Sequence, residues 1–213
     1  MDQNLFRHNN SLISDTAKNL EKNHFSAIIA ENNLDAKNKI LNLINKGEKI
    51  AFGGSKTVKD LELIEAFQDR KQELMLQKPE MSRSEIIELR RNALLSDVYI
   101  ASPNALTKDG FLIFVDKIGN RSSAMVFGPR KVIAVAGINK IVESETEAYN
   151  RVKFKAGPMN SKRLGLDKNP CTKTGVCSDC SSIDRICNVF VTVKKKPSYT
   201  EYYVVLIPQE LGY

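Results

Sequence analysis

Residues 104–140 read NALTKDGFLIFVDKIGNRSSAMVFGPRKVIAVAGINK. Three apolar runs stand out, Phe111 to Val115, Ala124 to Phe127 and Val132 to Ala136. Turn-forming and polar residues separate them: Asp109-Gly110, Asp116, Gly119-Asn120-Arg121, Gly128-Pro129-Arg130 and Asn139-Lys140. Short β-branched and aromatic runs bounded by Gly, Asn and Pro predict strands and turns. Phe111–Asp116 and Ser122–Phe127 are expected to form a hairpin, with Gly119 and Asn120 both able to take positive φ. Val132 to Ala136 is too continuous for a half-exposed strand and reads as a central one.

Working outward, the downstream chain predicts a helix from Gly137–Lys140 to about Lys155, with Glu143, Glu145 and Glu147 early, ended by Gly157-Pro158. Residues 161–184 carry little periodicity. Arg185–Val193 and Glu201–Ile207 read as closing strands. Upstream, Leu12, Ile13, Thr16, Ala17 and Leu20 predict an amphipathic helix within the first 23 residues. A strand follows near Phe25–Ile29, then a helix over Leu34–Lys46, with Asn33 as its cap and Gly47 as its stop. Lys49–Phe52 is a strand leading through Gly53-Gly54-Ser55-Lys56-Thr57 into a helix over about 58–67. A strand at Glu73–Leu76 follows. Ser82 and Glu85 fit a capping box opening a helix to about Leu95, and Asp97–Ala101 is a further strand. The alternation of helices and strands defines an α/β domain spanning 1–213: a three-layer, mostly parallel sheet with an inserted antiparallel hairpin.

The chain has 213 residues, of which 42% are hydrophobic, enough to bury a proper core. The sequence carries no run long and apolar enough for a membrane span. Its polar start lacks the apolar segment of a signal peptide, so a cytoplasmic protein is expected. Lys+Arg 32 against Asp+Glu 25 gives a net charge of +7. The basic residues are scattered, and the densest run, Lys194-Lys195-Lys196, has the character of a solvated strand edge. An anionic small molecule accounts for the excess better than nucleic acid, for which no motif is present.

Strand, glycine-rich turn and helix at Gly53–Thr57 is an arrangement that presents backbone N–H groups to an anion. It has neither the Walker A spacing nor that of the dinucleotide fingerprint, and Ser55 or Thr57 can equally cap the helix. The four cysteines all fall in one window, Cys171, Cys177, Cys180 and Cys187, spaced C-x5-C-x2-C-x6-C. Four thiolates can complete a tetrahedral zinc site or hold an iron–sulfur cluster. Arg163, Lys168, Lys173 and Arg185 nearby would stabilise thiolate charge. The spacing does not choose the metal, and packing of Cys187 beside a redox pair at Cys177/Cys180 is the alternative. The two histidines, His8 and His24, lie outside every motif, and no nucleophile–base pair is visible.

Several pieces in order resemble the lactate-utilisation (LUD) domain family, which includes the third subunit of the bacterial L-lactate utilisation complex. They are Gly53-Gly54-Ser55-x-Thr57, Asn104-Ala105-x-Thr107-x-Asp109-Gly110, Asp116-x-x-Gly119-Asn120-Arg121, Gly128-Pro129-x-Lys131-Val132-Ile133 and Gly137-x-Asn139-Lys140-Ile141-Val142. Gly157-Pro158-x-Asn160-x-x-Arg163 and the closing Glu210-Leu211-Gly212-Tyr213 are similar as well. The resemblance implies a Rossmann-like core like that of the sugar-phosphate isomerase and CoA-transferase superfamily. It implies an accessory or redox role in lactate or 2-hydroxy-acid utilisation, beside iron–sulfur or oxidoreductase partner subunits. It also tilts the cysteine set, absent from the better known third subunit, toward iron–sulfur rather than zinc. The alternatives are a stand-alone enzyme on a phosphorylated or CoA-linked metabolite, and a metal- or anion-sensing module. Under this resemblance Gly53, Gly54, Ser55 and Thr57 would donate to an anion. Asn104, Thr107 and Asp109 would line the opposite wall, and Asn120 is a further ligand-binding candidate. Arg121 and Lys140 would supply charge, with Asp116 orienting Arg121 or acting as a base.

Overall fold

The computed structural model describes residues 3–213; Met1 and Asp2, at the start of the expected N-terminal helix, lie outside the described residues. Helix α1 (Gln3–Lys22) buries Ile13, Thr16, Ala17 and Leu20 along one stripe. Strand β1 (Ser26–Ile29) and helix α2 (Asn33–Asn42) follow. Next come β2 (Ile50–Phe52), α3 (Lys56–Asp60), α4 (Leu63–Asp69), β3 (Leu74–Met75), α5 (Arg83–Asn92) and β4 (Val98–Ala101). The second half holds β5 (Ala105–Thr107), β6 (Leu112–Asp116), α6 (Asn120–Val126), β7 (Lys131–Gly137), β8 (Ile141–Val142) and α7 (Glu145–Arg151). It closes with α8 (Gly157–Arg163), α9 (Pro170–Thr174), β9 (Val189–Val193) and β10 (Glu201–Ile207).

Six strands form a parallel sheet in the order β1-β10-β7-β4-β2-β3. Its central strand β7 is buried along its whole length, which is why its sequence runs apolar without alternation. Side-chain parity divides the core. Ile133 and Val135 face the layer of α2, α3 and α4, where Ile40, Val58, Leu63 and Phe67 are buried. Val132, Ala134 and Ala136 face α1, α6 and a second sheet, meeting Leu20, Met125, Leu112 and Phe114. The second sheet, ordered β8-β5-β6-β9, is mixed and packs its other face on α7 through Ile113, Val115 and Ala148.

The α/β class and the mostly parallel sheet agree with the sequence reading, and the antiparallel hairpin exists but in another place. It joins β5 to β6 through Lys108-Asp109-Gly110, with Gly110 at φ +82°. Of residues 122–127, expected as its second strand, 122–126 belong to α6 instead and only Phe127, its C-cap, is extended. Gly119 takes φ +83° as expected, but it opens a helix, and the Asp116 carboxylate accepts from both the N–H and the hydroxyl of Ser122 at 2.6 Å. A short apolar run has no period of its own, and this carboxylate at its start decides for helix.

Other boundaries shift for local reasons. Asn32, not Asn33, caps α2, accepting from the Asp35 N–H at 3.0 Å. That helix ends at Asn42, before Gly47. The helix expected over 58–67 is broken by Glu62, which sits at φ +51°. The Ser82–Glu85 capping box is present. Residues 138–142 form a 3₁₀ turn and β8 before α7 begins. Gly157-Pro158 does not stop the helix: a π-helical turn over Val152–Ala156 carries α7 into α8, where Pro158 occupies the first turn. The wider turn tolerates a residue without an N–H. The 161–184 segment contains α9. The strand expected over 185–193 begins only at Val189 and joins the second sheet by pairing with β6. Among the described residues no helix is long and apolar enough to cross a membrane.

Candidate functional site: a cleft at the carboxyl ends of β2, β4 and β7

Three neighbouring strands end at one crevice. Gly53–Ser55 follows β2, Ser102–Asn104 follows β4, and Lys140 follows β7. In open parallel sheets ligands bind beyond these carboxyl ends. A cleft of about 640 Å³ opens here, with Gly53, Gly54, Ser55, Asn104, Asp116, Asn120 and Arg121 in its walls. An adjoining recess of about 40 Å³ is lined by Thr57, Ser102, Lys140 and Tyr213, and shares Gly54, Ser55, Asn104, Arg121 and Asn160. The cleft walls carry Lys59, Arg90, Lys117, Arg121 and Arg163 against Glu65 and Asp116, a positive excess.

Lys140 is the pivotal residue of the recess. It is 3% exposed. Its Nζ donates to Ser102 Oγ at 2.6 Å, to Thr57 Oγ1 at 3.0 Å and to the Pro103 carbonyl at 3.2 Å. These are neutral oxygens, and among the described residues no carboxylate pairs with it. Burial, with Arg151 and Arg121 nearby, holds its ammonium well below the ordinary lysine value. Thr57 is itself 1% exposed and contacts the Leu211 carbonyl, so the closing segment of the chain is tied to the recess.

Arg121 is paired with Asp116, as expected from the sequence, and is bonded on its other sides as well. Its Nε donates to Asp116 at 2.9 Å, its Nη1 to the Ser102 carbonyl at 2.9 Å, and its Nη2 to Asn104 Oδ1 at 2.6 Å and the Val115 carbonyl at 2.8 Å. Four of its five N–H groups are thereby engaged within the protein, leaving no free fork to grip an anion bidentately. It is a brace joining the ends of β4 and β6, and Asp116 holds both this brace and the start of α6. Asn104 is likewise occupied, its Oδ1 also accepting from the Val115 N–H.

At the β2 turn, Gly53 donates its N–H to the Ile100 carbonyl, and Ser55 caps α3 by accepting from the Val58 N–H. Gly53 must be glycine for a steric reason. A Cβ there would stand 2.9 Å from both Ala101 Cβ and Arg121 Cδ, whereas at Gly54 it would meet open space. Two residues named from the sequence fall outside the cleft. Thr107 is buried in the second sheet, where its hydroxyl accepts from the Phe111 N–H. Asp109 lies in the β5–β6 turn, its carbonyl bonded by Asn23.

Three contributors went unnamed as ligand-wall residues. Ser102 reads as mere punctuation after a strand. Asn160 and Arg163 stand one turn apart on α8, where Asn160 Oδ1 accepts from Arg163 at 2.7 Å and 3.0 Å; their spacing within the Gly157–Arg163 element was the available signal. Arg151 supports the site from behind, donating to the carbonyls of Asn104 and Asn139. Burial lowers it to about 10.

The cysteines form a second locus. Cys171, Cys177, Cys180 and Cys187 are half-buried free thiols, and all four line one cavity of about 260 Å³.

Fold and cleft together define a Rossmann-like α/β protein with an electropositive crevice at the carboxyl edge of its parallel sheet. The family model of the LUD domain matches residues 13–207, and the chain belongs to that family. Among solved structures, a DUF162 family protein from Deinococcus radiodurans matches with a TM-score of 0.55 and 11% identity, covering 93% of this chain and 97% of that one. At that identity the likeness shows the fold. The eIF2B beta protein from Chaetomium thermophilum matches 53% of this chain and 43% of its own at 13% identity, with a TM-score of 0.36. No curated protein gives a significant match to the chain.

Proposed function

We propose that the cleft binds an anionic small molecule, and that the chain serves as an accessory or redox subunit in the utilisation of lactate or a related 2-hydroxy acid. The family is associated with lactate utilisation, and partner subunits would carry the oxidoreductase chemistry. The observation that carries the anion reading is Lys140: a buried amine with three neutral oxygen partners and, among the described residues, no carboxylate bonded to it. A buried cation without a counter-ion is costly, and a carboxylate or phosphate entering the recess would supply the missing charge.

The test is calorimetric titration of the full chain with lactate, pyruvate, inorganic phosphate and CoA, repeated on Lys140→Met. Saturable binding of one of these by the wild type, reduced at least tenfold in the variant, is the expected result. Equal binding by the variant, or none by the wild type, overturns the reading.

A second reading draws on the 2.6 Å contact between Ser102 Oγ and Lys140 Nζ. A serine beside a depressed lysine is a nucleophile–base arrangement, suited to an enzyme acting on a phosphorylated or CoA-linked metabolite. Turnover of such a compound by the isolated chain, abolished by Ser102→Ala, would favour it over the subunit role.

A further inference from the structure

We propose that Cys171, Cys177, Cys180 and Cys187 together hold one cubane iron–sulfur cluster of four irons and four sulfides. The inference is independent of the anion reading.

The donor set comes first. Every cysteine of the chain lines the same cavity, although they arrive from three different pieces: Cys171 on α9, Cys177 and Cys180 on the turn after it, and Cys187 just before β9. Four soft thiolates select zinc or an iron–sulfur centre.

The cavity volume favours the larger of these two centres. A tetrahedral zinc with sulfurs about 2.3 Å away would bring them to about 3.8 Å from one another, in mutual contact with nothing between. Here the four cysteines share the walls of a cavity of about 260 Å³ with apolar residues that include Tyr149, Val152, Ile186 and Phe190. A cavity of that size has room for an inorganic core with volume of its own, whereas a lone ion would need the four sulfurs drawn together onto one point.

The loop is also built to present sulfur. Asp179 adopts the left-handed conformation at φ +49°, and its N–H donates to Cys177 Sγ at 3.4 Å. An amide turned onto a sulfur across a Cys-x-x-Cys turn stabilises a metal-bound thiolate. Arg185 ties the turn to the strand, donating to the carbonyls of Cys180 at 2.7 Å and Cys187 at 3.2 Å and to the Asp179 carboxylate at 2.7 Å. It also places a guanidinium beside a centre whose thiolate and sulfide charge outweighs its iron. The α9 end is clamped by a buried polar set: Asn169 donates to Ser161 Oγ and to the Asp184 carbonyl, and Ser161 bonds Thr172 at 2.9 Å. Ile186 lines both this cavity and the cleft, so the cluster would lie one side chain away from a bound anion.

The experiment is iron and acid-labile sulfide analysis of the full chain purified without oxygen after expression with added iron, with electron paramagnetic resonance before and after dithionite. About four irons and about four sulfides per chain, with a resonance that appears on reduction, are expected. Zinc without sulfide, a two-iron content, or no metal overturns the proposal. Because a cysteine variant can fail to fold, Cys177→Ala and Cys180→Ala are compared by circular dichroism with Ser178→Ala, which alters the same cavity without removing a sulfur. Loss of iron in the cysteine variants with iron retained in Ser178→Ala is expected; iron retained in all three overturns the assignment.

Discussion

Lys140 Nζ and Ser102 Oγ lie 2.6 Å apart, on turns that follow two neighbouring strands, β7 and β4. The contact brings a buried amine to the ends of the sheet, where Thr57 reaches it from the first turn of α3, the helix after β2. Its protonation is therefore linked to stability and, under the proposed anion binding, to affinity.

Burial depresses Lys140 below the 10.5 of an ordinary lysine, with Asp60 offsetting part of the effect. Between the depressed value and 10.5 the unfolded chain binds more protons than the folded one, so this group makes stability rise with pH across that window. At lower pH its penalty is present in full. Denaturation curves from neutral pH to pH 10 should show this upward contribution in the wild type, and Lys140→Met should lack it. A slope identical in the two proteins would mean that Lys140 is solvated as an ordinary lysine.

An anion entering the recess should favour the charged amine. Binding is then expected to take up protons and to weaken as pH rises through the same window. Calorimetry in buffers of different ionisation enthalpy reads the proton uptake directly, and an affinity independent of both pH and buffer contradicts it.

Arg121→Ala should act mainly on the fold. It removes the partner of Asp116, whose side chain is 10% exposed, and strips donors from two carbonyls and Asn104. Breaking such a pair costs about 3–5 kcal/mol, measurable by urea denaturation. Arg121→Lys should recover little, since an ammonium cannot span these acceptors. A near-neutral Arg121→Ala would show that the brace is dispensable.

Gly53→Ala and Gly54→Ala should differ sharply. The first drives a methyl against Ala101 and the Arg121 stem, and overpacking of this kind costs about 1–3 kcal/mol. The second meets open space and should change stability by less than about 0.5 kcal/mol. Comparable melting temperatures for the two variants would contradict the close approach.

The two asparagines before α2 offer a further contrast. Asn32→Ala removes the side chain that caps the helix and should cost about 1 kcal/mol. Asn33→Ala leaves that cap in place and should cost less. Thermal denaturation of the two variants distinguishes them, and the reverse order would return the cap to Asn33.

Much of the lining of the candidate cleft is legible where chemistry sits beside punctuation. Gly53-Gly54-Ser55, Asn104 and Lys140 each follow an apolar run that is a strand, so strand logic alone carried them to one edge of the sheet. The clustering of four cysteines was equally plain. Ser102 was not, because a serine before a proline reads as a strand ending until a lysine from another strand is seen to meet it. Arg121 and Asp116 were seen as a pair, but their loads were hidden: the acceptors of Arg121 lie at residues 102, 104, 115 and 116, and only the folded chain assembles them.

By itself the sequence determined the alternation of strands and helices, the burial of β7 and the positions of the glycine turn and the cysteines, because these follow from local periodicity and residue type. Tertiary structure alone decided that residues 120–126 become a helix, that Gly157-Pro158 lies inside a continuous rod, and that Thr107 and Asp109 face away from the cleft. Each depends on a contact distant in the chain or on a neighbouring turn. Asp116 reaches the start of α6, a π-helical turn absorbs the proline, and the second sheet claims β5 for its own core. The residues at 104–140 supply strands to two sheets and one helix rather than three strands of one sheet, and Arg121 joins the two sheets by donating to carbonyls at the ends of β4 and β6.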